Sequence, residues 1–261
     1  MSIAFYSCGC AARVAQSAII LLSALVPLGC SQYATPGRGA NLGTIISPEA
    51  KDIQSDGSVV KAIDKRPLAS LPAAVAIVRV QEDGYRSSTT DSWGHGAYSI
   101  VTSRDIENMD KVLDRMAKLP LVNGLAPINR LLLSPQLHSD LELREAAGAL
   151  HADMLLIYTL DTSFDVEDVA APLTVITIGL SPNQLARVSC TASAILIDTR
   201  NGYVYGVAEA TERQKQLASA WTSSAAVDQT RRRVESVAFS KLADNLEGMW
   251  SGVVKNVALA R

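Results

Sequence analysis

Three histidines and four cysteines are the side chains of this 261-residue chain best suited to hold a metal or serve as base or nucleophile. Their spacing speaks against each use. His95, His138 and His151 form neither H-E-x-x-H nor H-x-x-x-H, and no cysteine pair stands beside them, so a metal site has no support. Cys190 lies in "RVSCTASAILID", a strand-like run that lacks the base and electropositive setting of an activated thiol. It reads as a small buried hydrophobe. "GLSPN" at 179–183 fails the G-x-S-x-G nucleophile elbow at its last position, and no phosphate-cradling glycine motif occurs. "DVED" at 165–168 puts three acids on a turn without the glycine and spacing of a calcium loop. The expectation is a non-enzyme: no catalytic residue, no metal and no cofactor.

His95 has the most suggestive neighbours. In "SWGHGAYS" two glycines free the backbone, while Trp93 and Tyr98 offer stacking faces. The surrounding polar segment 82–97 is long for a loop, and loops of that length are often functional. Trp93, His95 and Tyr98 therefore mark a candidate partner-binding loop. His151, at a helix end, favours the negative pole there. Three consecutive arginines, 231–233, cover most of a helical turn, so at least one must approach the core edge and pair with Asp228 or Glu235. The formal net charge of −2 gives no basic excess for phosphate backbones, so nucleic acid is not an expected partner. One internal cysteine cannot build a disulfide framework.

The remaining chemistry sits near the start. "MSIAFYSCGCAAR" carries one charge, and "VAQSAIILLSALVPLG" then runs sixteen residues without any before Cys30. Spanning a bilayer takes roughly 20 apolar helical residues, so this run is short. A basic n-region, an apolar h-region and a small residue before the cut describe an export signal, with an uncleaved anchor or internal segment as the other reading. The stretch "LVPLGCSQ" resembles the cleavage site of bacterial lipoprotein precursors, with Gly29 before Cys30; Pro27 stands where that family carries an aliphatic residue. The resemblance implies cleavage between Gly29 and Cys30, and a lipid on Cys30 that ties the protein to a membrane. Ser31, where an aspartate would signal inner-membrane retention, favours the outer membrane facing the periplasm. A soluble periplasmic protein is the alternative. The mature chain would hold 23 bases against 26 acids, net −3.

These features need a scaffold. Residues 1–29 read as signal peptide, 30–50 as lipidated N-terminus and flexible tether, and 51–261 as one domain. "SDGSVVKAIDKRP" reads as a short helix stopped by Pro67, and "LPAAVAIVRVQ" as a central buried strand. "YSIVTS" and "INRLLLS" read as short strands. Ile106, Met109, Val112, Leu113 and Met116 line one face of a helix. Ser139 and Glu142 have capping-box spacing before a second helix, which leads into the buried strand "DMLLIYTLDTSF". Asn201-Gly202 predicts a tight hairpin between two long strands. From about Ser224 to Leu259, apolar residues at three- and four-residue steps predict one long helix, or two broken near Gly248 or Gly252. The fold class is α+β: mixed α/β layers, a central sheet with a long hairpin, two mid-chain helices and a long C-terminal one.

"LREAAGALHADMLLIYTLDT" followed by "ASAILIDTRNGYVYGVAEAT" resembles a module of the curli-secretion lipoproteins and of the N-terminal domain of the Tol–Pal β-propeller protein. Ala152-Asp153 and Asp198 to Gly202 carry the likeness and read as fold determinants. Function could then follow three lines: a lipid-anchored protein that binds a protein or envelope partner, an oligomeric export component, or an envelope hydrolase. The export reading needs membrane-length hairpins, and "APLTVITIGLSP" at 171–182 alternates poorly. Oligomeric state is left open.

Overall fold

The stretch Met154–Leu160 holds a single polar side chain, Thr159. Successive strand residues face opposite ways, so a run this apolar must be covered on both sides. In the computed structural model, which describes residues 36–46, 56–87, 89–102, 106–168, 184–218 and 223–259, it opens β6 (Met154–Asp168) at the middle of a six-stranded mixed sheet. The order is β3 (Ser99–Val101), β1 (Ala73–Gln81), β6, β7 (Gln184–Asp198), β8 (Val204–Ala218). β1 runs parallel to β6, and β6, β7 and β8 form an antiparallel meander with β8 at the edge among the described strands. The outer side of β1 is shared by β3, antiparallel at Arg79–Gln81, and β4 (Val122–Pro127), parallel at Ala73–Ile77.

Helices cover both faces. Val75, Ile77, Leu156, Tyr158 and Leu196 pack under α3 (Met109–Ala117) and α5 (Ser223–Leu259), against Phe239, Leu242 and Trp250. Val78, Leu155, Ile157 and Ile197 pack on the other face under α1 (Leu42–Ile46) and α4 (Asp140–Ala149), against Ile45, Leu143 and Ala147. The class is α+β, with the long C-terminal hairpin, two mid-chain helices and long closing helix all present. α2 (Asp56–Asp64) stands apart: all its described side chains are exposed.

Several local expectations change. α5 is continuous through Gly248 and Gly252, where a Cβ would meet nothing, so each costs only the ~1 kcal/mol helix penalty of glycine. "INRLLLS" is not a strand: the Asn129 side chain accepts from Leu131 N–H and starts a 3₁₀ turn, Arg130–Leu132, leaving Leu131 exposed. "DVED" belongs to β6 rather than to a turn. The hairpin connection is five residues, 199–203, and only Gly202 takes a positive φ. The segment 171–182 lies outside the described residues.

α4 shows its caps in full. Ser139 Oγ accepts from Leu141 N–H, and Glu142 carboxylate accepts from the backbone N–H of Ser139 and His138. At the other end Ala152 N–H donates to Ala147 O and His151 N–H to Gly148 O, with His151 at φ 56°. This Schellman closure wants glycine at that position, and a side chain in the left-handed region costs about 1–2 kcal/mol. His151→Gly is expected to stabilise the protein by about 0.5–1 kcal/mol, seen as a higher urea midpoint at unchanged m-value.

Candidate functional site

Gly29 and Cys30 lie outside the described residues, but the structure fixes where the chain behind them joins the fold. Pro36 is buried, and Gly37 N–H donates to Arg86 O. Gly39 pairs with Gln81 and lies so close to β6 that a Cβ would stand 2.9 Å from Thr159 Oγ1. Ala40 N–H donates to Thr159 Oγ1 at 2.8 Å, and Ile45 of α1 is fully buried. The expected tether is thus corrected over residues 36–46, which are a packed part of the sheet face. Small residues that suggest flexibility serve here to bring backbone against backbone. Between Cys30 and Pro36 the chain can reach at most about 20 Å.

The 82–97 segment is tied down along its length. Tyr85 N–H donates to Glu82 O, Ser92 N–H to Tyr85 O, and Trp93 exchanges both backbone bonds with Ile100. His95–Gly96 forms β2, parallel to β5 (Gln136–Leu137), and a Cβ on Gly96 would collide with Leu137 carbonyl. The three residues of the candidate loop are not brought together as expected. Trp93 is half-buried, and His95 is exposed with Asp83 carboxylate 3.5 Å away. Tyr98 is a correction: it is wholly buried, its hydroxyl donating to Ser139 O, and burial followed by the nearby carboxylates of Glu142 and Asp140 pushes that hydroxyl well above the usual range. It fastens the loop to α4 and presents no face to a partner.

On the α5 side of the sheet, one of the three arginines does far more than edge the core. Arg231 is completely buried: its guanidinium donates to Glu235 at 2.8 Å, to Asp228 at 3.1 Å and to Thr89 Oγ1 at 3.3 Å. Glu235 in turn accepts from Thr162 Oγ1 at 2.9 Å. Arg232, more exposed, reaches Asp228 from outside at 3.3 Å. Cys190, opposite Thr162 on β7, is free and buried, and burial pushes its thiol up to about 12. A thiol that hard to ionise is no nucleophile at neutral pH. The sequence signal for Arg231 lies in the carboxylates three residues before it and four after, though its depth has no such signal.

At the opposite end of the sheet lies a second polar centre. Asp198 is buried at the end of β7; its Oδ2 accepts from Leu68 N–H, Ala69 N–H and the Tyr205 hydroxyl, each at 2.8 Å, and its Oδ1 from Arg200 N–H at 2.9 Å. Burial alone would raise this carboxyl, but the four donors outweigh it and hold it below the usual carboxylate range. Asp153 accepts from Ala74 N–H and from Arg200 guanidinium. Both acids thus close backbone gaps between strands and loops, the role the sequence assigns to Asp153 and Asp198. Among the described residues no group of three or more metal-ligating side chains converges, and no helix is long and apolar enough to cross a membrane. No known protein family matches the chain, and no curated protein matches it either.

Proposed function

We propose that this is a lipid-anchored envelope protein, acylated at Cys30, held to the outer membrane on its periplasmic side and working by binding a protein or envelope partner. The observation that supports it most is the contiguous signal itself: a sixteen-residue uncharged run, short for a bilayer span, ends in a small residue directly before Cys30. Among the described residues, both core layers of the sheet are built from positions 40–257, so each face of the sheet already has its cover.

Binding rather than catalysis is favoured because the buried acids and hydroxyls described above are taken up by the α4 cap, the strand ends and the Arg231 network. α2 adds a surface for it: Val59 and Val60, four and three residues before Ile63, are with it 55–68% exposed on one side of a helix. Exposed apolar side chains gathered on one face mark contact sites more often than scattered ones do.

Cys30→Ser is expected to abolish palmitate labelling and release the chain from the membrane fraction, since two or three acyl chains at ~0.8 kcal/mol per buried methylene supply the attachment. Labelling and membrane retention unchanged in that variant would defeat the proposal. A photo-crosslinking residue at Ile63 is expected to capture a partner in the native envelope.

A further inference from the structure

Beside β8, the edge of the described sheet, a polar cleft of about 250 Å³ opens toward α5, lined among the described residues by Gln214, Lys215, Gln229, Thr230 and Arg233. Its geometry follows from two periodicities. Gln229 and Thr230 lie four and three residues before Arg233, so all three share one side of α5. Gln214 and Lys215 project to opposite faces of β8, but at an edge strand both faces border the same opening.

The electrostatics are one-sided. Among the described residues neither Lys215 nor Arg233 has an ion-pair partner, while the nearby carboxylates are engaged: Glu212 by Lys241 at 2.6 Å, Asp228 by Arg231 and Arg232, and Asp165 by Arg187 at 3.9 Å. Arg187 stands directly across the sheet from Lys215, and a further cation, Arg213, lies two residues away on β8. Asp165 already engages Arg187, so the positive charge left at this edge is that of Lys215, Arg213 and Arg233. A guanidinium fork, an ammonium and two primary amides supply many donors to a group with several acceptor oxygens. The volume is below the ~300–1,000 Å³ of sites for drug-sized ligands, which suits a headgroup rather than a nucleotide.

We infer that this cleft binds a phosphoryl group, clasped by Arg233 and Lys215 with Gln214 and Gln229 beside it and Thr230 beneath. Its position adds a source. Lys215 is in register with Arg187 and through it with Asp165 on β6. The N-terminal segment runs past Asp161 at Gly39 and on to Arg86 at Gly37, toward the same end of the sheet. If Cys30 is acylated, that end faces the bilayer, and an anionic phospholipid headgroup is within reach. The headgroup source rests on the Cys30 proposal; the phosphoryl site does not.

The test uses the purified full chain, titrated separately with inorganic phosphate and with soluble dihexanoyl phosphatidylglycerol, followed by phosphorus and amide NMR. Saturable binding is expected, with shifts at Gln214, Gln229 and Arg233 and a Kd at least about tenfold weaker in Lys215→Gln/Arg233→Gln. Both residues are exposed, so that variant should retain its unfolding midpoint. Lys61→Gln/Lys65→Gln removes the same charge at exposed positions on and just after α2 and should bind like the parent. Binding of the lipid, alone or in competition with phosphate, identifies a headgroup site. Binding of phosphate alone identifies a soluble phosphoryl ligand. Non-saturating binding of both probes, or equal weakening in the two double variants, overturns the inference. The titration reads the cleft whatever Cys30 carries, so its failure is separable from a failed palmitate result.

Discussion

Arg231→Ala is expected to lower the unfolding free energy by about 3–5 kcal/mol, the range for breaking a buried charge pair by removing one partner. The loss is large because of what stays behind. Glu235 is almost completely buried and, among the described residues, would keep only the Thr162 hydroxyl as a donor, while the guanidinium volume would be left as a void. The pair itself need not be a net gain over apolar packing. Arg231→Met with Glu235→Leu should therefore recover at least half of the loss, the sign of coupling that a double-mutant cycle isolates. Urea unfolding followed by tryptophan fluorescence reads both. A local effect should accompany the global one, since Arg231 also holds Thr89 in the 82–97 segment. Amide exchange near Thr90 should quicken in the alanine variant under native conditions. Additive single-variant losses would mean that the contacts to Arg231 are geometric neighbours without energetic coupling.

This network also shows which structural information a sequence carries locally. The capping box at Ser139 and Glu142 spans only four residues and forms with every bond its spacing implies. The burial of β1 and β6 follows from uninterrupted apolar runs, and α5 from a repeat long enough to outweigh two glycines. What failed depends on partners far along the chain. β4, "VNGLAP", contains glycine and proline and has no strand pattern of its own; parallel pairing with β1 imposes its conformation. Gly39 looks like a linker residue until Thr159, 120 positions later, is placed against it. Tyr98 looks like a loop aromatic until α4 covers it. For the candidate sites the same division holds: the arginine run is visible, but the depth of Arg231 and the freedom of Lys215 depend on which acids other elements bring near. Cys30 is the exception, since its proposed chemistry lies in a short contiguous signal and needs no fold.

The second large effect is expected at Asp198. Asp198→Asn should cost about 3 kcal/mol, because hydrogen bonds to a charged acceptor contribute about 1.5–3 kcal/mol and this side chain receives four. Asparagine preserves the shape but turns one oxygen into a donor that must face N–H or O–H groups on either side. The same carboxylate sets a pH dependence whose sign is fixed by the geometry. Its folded value lies below the unfolded one, near 3.9, so the unfolded state takes up the proton first as pH falls. The stabilisation is therefore complete well above pH ~4 and is lost as the pH drops through the folded value. Parent and Asp198→Asn should differ most at neutral pH and converge in acid, a narrowing visible in urea midpoints measured from pH 7 to pH 3. Tyr205→Phe separates the contributions. Burial, and then the hydrogen bond to Asp198, hold the Tyr205 hydroxyl protonated as a donor, and deleting it removes one of the four bonds at a cost of about 1–2 kcal/mol. With three backbone donors still in place, the loss of stability in acid should persist in Tyr205→Phe and be absent from Asp198→Asn. If both variants kept the parental acid limb, the pH dependence would belong to other carboxylates, Glu142 at the α4 cap first among them, since donors there also hold its value down against burial.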